Sequence, residues 1–209
     1  MNDIDPASIV ESEAELDELY GAPSPASKIK EATRIVPEYR ALIEASPFAV
    51  LATSGPGGLD CSPRGDAPGF VRVKDDRTLL LPDRRGNNRI DSLRNIVHDP
   101  RVALLFLVPG LGETLRVNGR ARLTRDAALC DSLAHQGRAP KLVIEIAVET
   151  VFFQCARAIM RSSLWDPTRH VARGDLPTAG QMLKATSAGE AGGDDYDRDL
   201  DRRMKAGLY

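Results

Sequence analysis

An apolar run, Leu79-Leu80-Leu81, meets an amphipathic segment, Ile90 to Ile96, through Pro82, Asp83, Arg84, Arg85, Gly86, Asn87, Asn88 and Arg89. These residue types in this order suit the capture of a phosphate. A helix starting near Asn88 leaves its first backbone N–H groups unpaired and carries a partial positive charge there. Gly86 lets the backbone approach a ligand closely, and Asn87 or Asn88 is placed to cap the helix. Arg89 falls in the expected first helical turn, where a cation is unfavourable unless an anion occupies the helix start. Arg64, in Cys61-Ser62-Pro63-Arg64-Gly65-Asp66, adds a second guanidinium fork from a neighbouring strand. Guanidinium forks at a helix N-terminus bind a phosphate without a P-loop. The same residues also suit a solvated turn whose arginines pair with Asp83, Asp91 and Asp66. Neither GxGxxG nor a P-loop occurs in this stretch, so the reading ends at "phosphorylated ligand".

Composition narrows the classes. Of the 209 residues, 42% are hydrophobic and 28% charged, the balance of a globular chain. The formal net charge of −2 gives no overall field that would draw nucleic acid or an anionic membrane. No apolar run is long enough to span a bilayer. The N-terminus is acidic and lacks a signal-peptide pattern, which predicts a cytoplasmic protein. The three cysteines, Cys61, Cys130 and Cys155, form no CxxC pair, and the three histidines lack ligand spacing. Free thiols and no metal site are expected. Catalytic roles stay unassigned: no general acid or nucleophile is compelled, and His98 reads as a cation at a helix C-terminus.

Several elements must position the arginines. Residues 10–20 read as a short helix ending at Gly21. Residues 28–45 read as a second helix that Pro37 interrupts or kinks. The period then changes to two. Strands are predicted at 48–54, 59–73 (interrupted), 77–83, 101–110, 113–124 and 141–155. Helices are predicted at 88–98, with Ile90, Leu93 and Val97 inward, at 125–137 and near 178–185. In 113–124, Leu115, Val117, Gly119, Ala121 and Leu123 share one face, while Arg116, Asn118, Arg120 and Arg122 share the other. The segment from Ser187 to Asp199 is expected to be mobile loop. Hairpins join most strands, which excludes a doubly wound parallel sheet and favours an antiparallel barrel.

The stretches "FAVLATSGPGG", "DCSPRGDAPGFV", "TLLLPDRRGNNRIDSLRNIVHDPRVALLFLVPG", "ETLRVNGRARLT" and "RSSLWDP" resemble, in that order, the pyridoxamine 5'-phosphate oxidase-like flavoproteins. The resemblance runs over roughly 46–166 and implies a mainly β fold, a split antiparallel β-barrel that binds FMN, with helical extensions at 1–45 and at 167–209, the latter partly mobile. It implies a homodimer with FMN at the subunit interface. It assigns the FMN phosphate to Arg64 with Ser62, and to Asn87, Asn88 and Arg89. It runs Leu81, Pro82 and Asp83 beside the isoalloxazine ring. Thr114 and Arg116 would reach the flavin from the other subunit, and Arg161 and Trp165 would lie near it across the interface. A core aromatic and an ion pair with Asp166 are the plainer roles for Trp165 and Arg161.

Two departures separate the chain from the vitamin B6 oxidases proper. The closing segment "RSSLWDP" has no histidine, and Gly69 and Phe70 stand where a lysine follows the first phosphate arginine. The resemblance therefore implies an FMN-dependent oxidoreductase acting on a small organic substrate, with NAD(P)H or O2 as partner. The alternative is a non-catalytic flavin- or haem-binding module of the same fold.

Overall fold

The structure, a computed structural model, describes residues 4–209. Three helices open it: α1 Glu13–Tyr20, α2 Pro25–Ile29 and α3 Pro37–Ala45. The helix expected over 28–45 is thus two helices. Pro37 stands at the start of α3, where its missing N–H costs nothing. Between them Ala32 runs extended and exchanges backbone hydrogen bonds with Val151.

A hairpin follows, β1 Phe48–Gly55 and β2 Gly58–Gly65, then a second, β3 Arg72–Asp75 and β4 Thr78–Pro82. The interrupted strand expected over 59–73 is therefore two strands. Next come α4 Asp91–His98, β5 Arg101–Leu107, β6 Thr114–Thr124, α5 Ala127–Ser132 and β7 Val143–Gln154. The chain closes with α6 Arg157–Ser162, α7 Ala179–Thr186, α8 Asp194–Arg198 and α9 Leu200–Ala206. The stretch from Ser187 to Asp199, read from sequence as loop, thus contains α8.

The seven strands form one antiparallel sheet in the order β2-β1-β5-β6-β7-β4-β3. Its edges are β2 and β3, and no ladder joins them among the described residues, so the barrel is split along one seam. Leu51, Leu79, Leu81, Leu104, Phe106, Leu115, Val117, Ile144 and Ile146 fill the interior, with Ile43 of α3 and Leu93 and Ile96 of α4. The continuous Leu79-Leu80-Leu81 run has a simple cause. Leu79 and Leu81 enter this core, while Leu80 faces the opposite side and meets Leu129, Cys130, Leu133 and Val143 under α5. A strand covered on both faces needs no polar alternation.

Two helices are shorter than their sequence patterns suggest. α4 begins at Asp91 instead of Asn88, because Asn88 and Ile90 both adopt left-handed backbone with φ of 60° and 53°. Its inward face is therefore Ser92, Leu93 and Ile96, and Val97 is exposed. α5 ends at Ser132 and not at Gly137. Gln136 and Gly137, with φ of 48° and 75°, close a tight turn instead. His135 and Arg138 exchange both backbone hydrogen bonds across it.

Candidate functional site

On edge strand β2, Asp60, Ser62 and Arg64 alternate toward the seam and are half-buried. Polar residues at every second position mark this face as a wall of a cavity, not of the core. Ser92, buried in the first turn of α4, links them. Its hydroxyl accepts from Arg64 Nη2 at 3.0 Å and donates to Asp60 Oδ2 at 2.5 Å. Ser62 also donates to the Asp60 carboxylate, at 2.9 Å. Arg64 Nη1 donates to the Pro63 carbonyl at 2.9 Å. That leaves Arg64 Nε, a buried side-chain donor with no partner among the described residues. Such a group is expensive unless something outside the chain accepts from it. Burial pushes the Arg64 guanidinium below its ordinary range, opposed by Asp83 and Asp60.

The loop after β4 supplies the opposite wall. Asp83 N donates to the Leu142 carbonyl at 3.1 Å, which extends the β4–β7 ladder by one step. Burial pushes the Asp83 carboxyl up, against the pull of Arg64 and Lys141. Asn87 Oδ1 accepts from Arg89 N at 3.0 Å and so caps the loop, not the helix. The N-cap of α4 is Ile90, which offers no side-chain cap. Arg89 precedes the first turn, and Asp91 stands in it, the usual charge for that place.

The loop arginines divide. Arg84 Nε pairs with Asp66 Oδ2 at 2.7 Å, and Arg84 Nη1 donates to the Leu133 carbonyl at 3.0 Å. Arg89 pairs with Asp91 at 2.8 Å, but that pair is exposed and contributes little. The solvated-turn alternative thus describes Arg89; Arg84 makes the Asp66 pair it names, but as a buried pair with side chains 18% and 1% exposed, and Arg64 makes no hydrogen bond to an aspartate.

Between these walls lies a cavity of about 810 Å³, in the range of small-molecule sites. Ser62, Arg64, Pro82, Asp83, Asn87, Asn88 and Arg89 all line it. Leu81 does not, because its side chain is fully buried in the core. Thr114, Arg116, Arg161 and Trp165 lie elsewhere, around the start of β6 and the end of β7. Thr114 pairs with Gln154 in the ladder, and the Arg116 guanidinium sits 5.5 Å from the Phe152 ring centroid. With the Gln154 amide turned so that its oxygen faces Arg116, it accepts from Arg116 Nη2 at 2.9 Å. Trp165 Nε1 donates to the Leu111 carbonyl at 2.7 Å. Arg161 is exposed in the last turn of α6 and makes no pair with Asp166, whose carboxylate accepts from the Thr168 backbone and hydroxyl instead.

Sequence reasoning missed Asp60, Ser92, Arg138, Lys141 and Tyr209, all of which line the cavity. The alternation Asp60, Ser62, Arg64 was a readable signal for the first. Ser92 sat inside the amphipathic pattern as a polar residue on its apolar face. Nothing in the sequence pointed to the others.

A seven-stranded antiparallel barrel, split at one seam and carrying a cationic cavity, defines the class of split β-barrels. The profile of the pyridoxamine 5'-phosphate oxidase family matches residues 35–155, and the chain belongs to that family. No curated protein matches the chain. Among solved structures, tagged HupZ from Group A Streptococcus is 24% identical with a TM-score of 0.48, covering 58% of this chain and 94% of that one. A Clostridium acetobutylicum protein related to general stress protein 26, of the pyridoxinephosphate oxidase family, is 15% identical (TM-score 0.43; coverage 56% and 86%). General stress protein 26 of Bacillus anthracis is 17% identical (TM-score 0.41; coverage 54% and 88%).

Proposed function

We propose that the cavity holds FMN with its phosphate at Arg64, and that the protein is an FMN-dependent oxidoreductase acting on a small organic substrate. The observation that carries this reading is the buried, unpartnered Nε of Arg64, a residue of the cavity lining whose two Nη atoms are both held by the chain. A phosphate oxygen is an acceptor of the kind that donor lacks. The charge balance agrees. Six cationic side chains line the cavity against three carboxylates, in a chain of net charge −2. A dianionic phosphate offsets that excess, and the family's usual ligand is a flavin.

The residues present fit such a group. Arg64 would bind the phosphate, held in place by Ser92 and Asp60. Asn88 and the uncapped start of α4 offer backbone donors beside it. Pro82 and Asp83 border the remaining space, where a ring system would lie. Bound flavin supplies hydride and electron transfer; the chain supplies binding and electrostatics. Asp83 is a half-buried carboxylate of this cavity, and burial pushes it upward against the pull of Arg64 and Lys141.

The test is a titration of the flavin-free protein with FMN, followed by addition of NADPH without air. Arg64→Ala should weaken FMN binding by about 1.5–3 kcal/mol, the range for hydrogen bonds to charged groups. That corresponds to roughly ten- to a hundredfold in Kd. Bleaching of the flavin band by NADPH, with recovery in air, supports the oxidoreductase. Equal FMN affinity in the wild type and Arg64→Ala would defeat the phosphate assignment.

A further inference from the structure

We propose that residues 207–209 form a strap across the cavity, fastened by the Tyr209 side chain, and that its release sets how fast a flavin enters and leaves. The strap's geometry stands on the structure itself; the ligand it gates rests on the FMN reading above.

The tight turn at Gln136 and Gly137 brings His135 and Arg138 side by side. The Tyr209 ring stacks on the His135 imidazole, with centroids 4.6 Å apart and planes inclined by 26°. The Arg138 guanidinium donates to the main-chain oxygen of Tyr209. At the other end of the ring, the phenol hydroxyl donates to Asp66 Oδ1 at 2.8 Å. The second Asp66 oxygen accepts from Arg84 Nε, and the Asp66 side chain is only 1% exposed. Burial alone would raise the Asp66 carboxyl; the Ala67 N–H, Tyr209 and Arg84 together hold it below its ordinary value.

One phenol ring therefore ties three segments together. Asp66 stands two residues past Arg64, Arg84 opens the loop that runs to Arg89, and Arg138 belongs to the turn before β7. Gly65 beside Asp66, Arg84 and Arg138 line three sides of the same cavity, and Tyr209 lines it with them.

The hold is concentrated in that one side chain. α9 has no buried residue, and within 201–209 only Gly207 and Tyr209 are even half-buried. Undocking breaks one ring stack and a few hydrogen bonds without opening the barrel core. Segments with so few buried contacts open locally, far more often than the whole domain unfolds. A cover of this kind over a binding cavity acts on ligand exchange. It slows entry and exit together, so the dissociation constant changes less than either rate.

The test uses the full chain, as wild type, Tyr209→Phe and Tyr209→Ala. Amide hydrogen exchange of residues 66–70 and 84–89 is measured without flavin, and FMN association and dissociation are followed by stopped-flow fluorescence. Tyr209→Ala should speed exchange in both segments and raise both FMN rate constants by about tenfold, the scale of one ordinary hydrogen bond. Tyr209→Phe, which keeps the stack and loses the hydroxyl, should fall between. Hydrogen exchange unchanged in Tyr209→Ala overturns the strap, whatever the flavin does. If exchange speeds but the FMN rate constants stay equal, the gating role is overturned. Failure of the wild type to bind FMN sinks the flavin reading instead, and hydrogen exchange alone then decides the strap.

Discussion

Arg64 and Arg89 carry the same charge and line the same cavity, yet burial gives them different weight. Arg89 is 74% exposed in its side chain and already paired with Asp91, so water screens whatever it contributes. Arg64 is held by Ser92 and the Pro63 carbonyl with one donor left over. Ser92 is the hinge of that arrangement, because a hydroxyl that accepts from Arg64 spends its single proton on Asp60. Ser92→Ala removes both bonds at once: Arg64 Nη2 loses its partner, and the Asp60 carboxylate keeps only Ser62. The expected loss is about 1–3 kcal/mol of stability, the range for an unsatisfied buried polar group. FMN binding should weaken as well, because Arg64 is no longer held. Urea unfolding and an FMN titration check the two effects. Full stability in Ser92→Ala would show that the network is ornamental.

At the scale of elements, strands were far more legible than loops. The alternation of β6 places Leu115, Val117 and Ala121 inside and Arg116, Arg120 and Arg122 outside, as the sequence pattern requires. The break between β2 and β3 was hidden because Gly65 to Gly69 was read as an irregular strand. The phase of α4 was lost because no propensity signals a left-handed isoleucine at its N-cap. Half of the candidate site was likewise out of reach. Asp60, Ser62 and Arg64 share a strand face, but Lys141, Arg138 and Tyr209 arrive from far along the chain through tertiary packing. One strand feature makes a sharp prediction. The β6–β7 register shifts between Asn118 and Gly119, and a Cβ on Gly119 would lie 2.2 Å from the Ala147 carbonyl oxygen. The obstacle is backbone, so no rotamer relieves it. Gly119→Ala should cost about 1–3 kcal/mol, as overpacking does, with a lower Tm in a thermal melt. An unchanged Tm would mean that the bulge relaxes freely.

For the molecule as a whole, one face of the sheet remains unexplained by the single chain. Phe48, Val50 and Ala52 of β1 point outward beside Leu107, Leu105 and Ala103 of β5 in register. Leu105 in turn neighbours Arg116 of β6, which neighbours Phe152 of β7. Phe48 is 38% exposed. Apolar rows in the centre of a sheet, on the side away from its core, suit burial against another protein surface. Thr114 and Arg116, which the family resemblance assigns to a flavin in the other subunit, emerge on this face. A two-fold pairing of two copies would bury the apolar rows and carry both residues to the neighbouring cavity. Leu105→Glu tests this, because it sets a charge in the middle of the rows at a residue that does not line the cavity. The wild type should scatter light as a dimer, and Leu105→Glu as a monomer with an unchanged far-ultraviolet circular dichroism spectrum. Its FMN affinity should fall, since each cavity then lacks the groups that cross from the other copy. A wild type that binds FMN fully as a monomer would contradict the pairing. A Leu105→Glu protein that still dimerises would move the contact to another face.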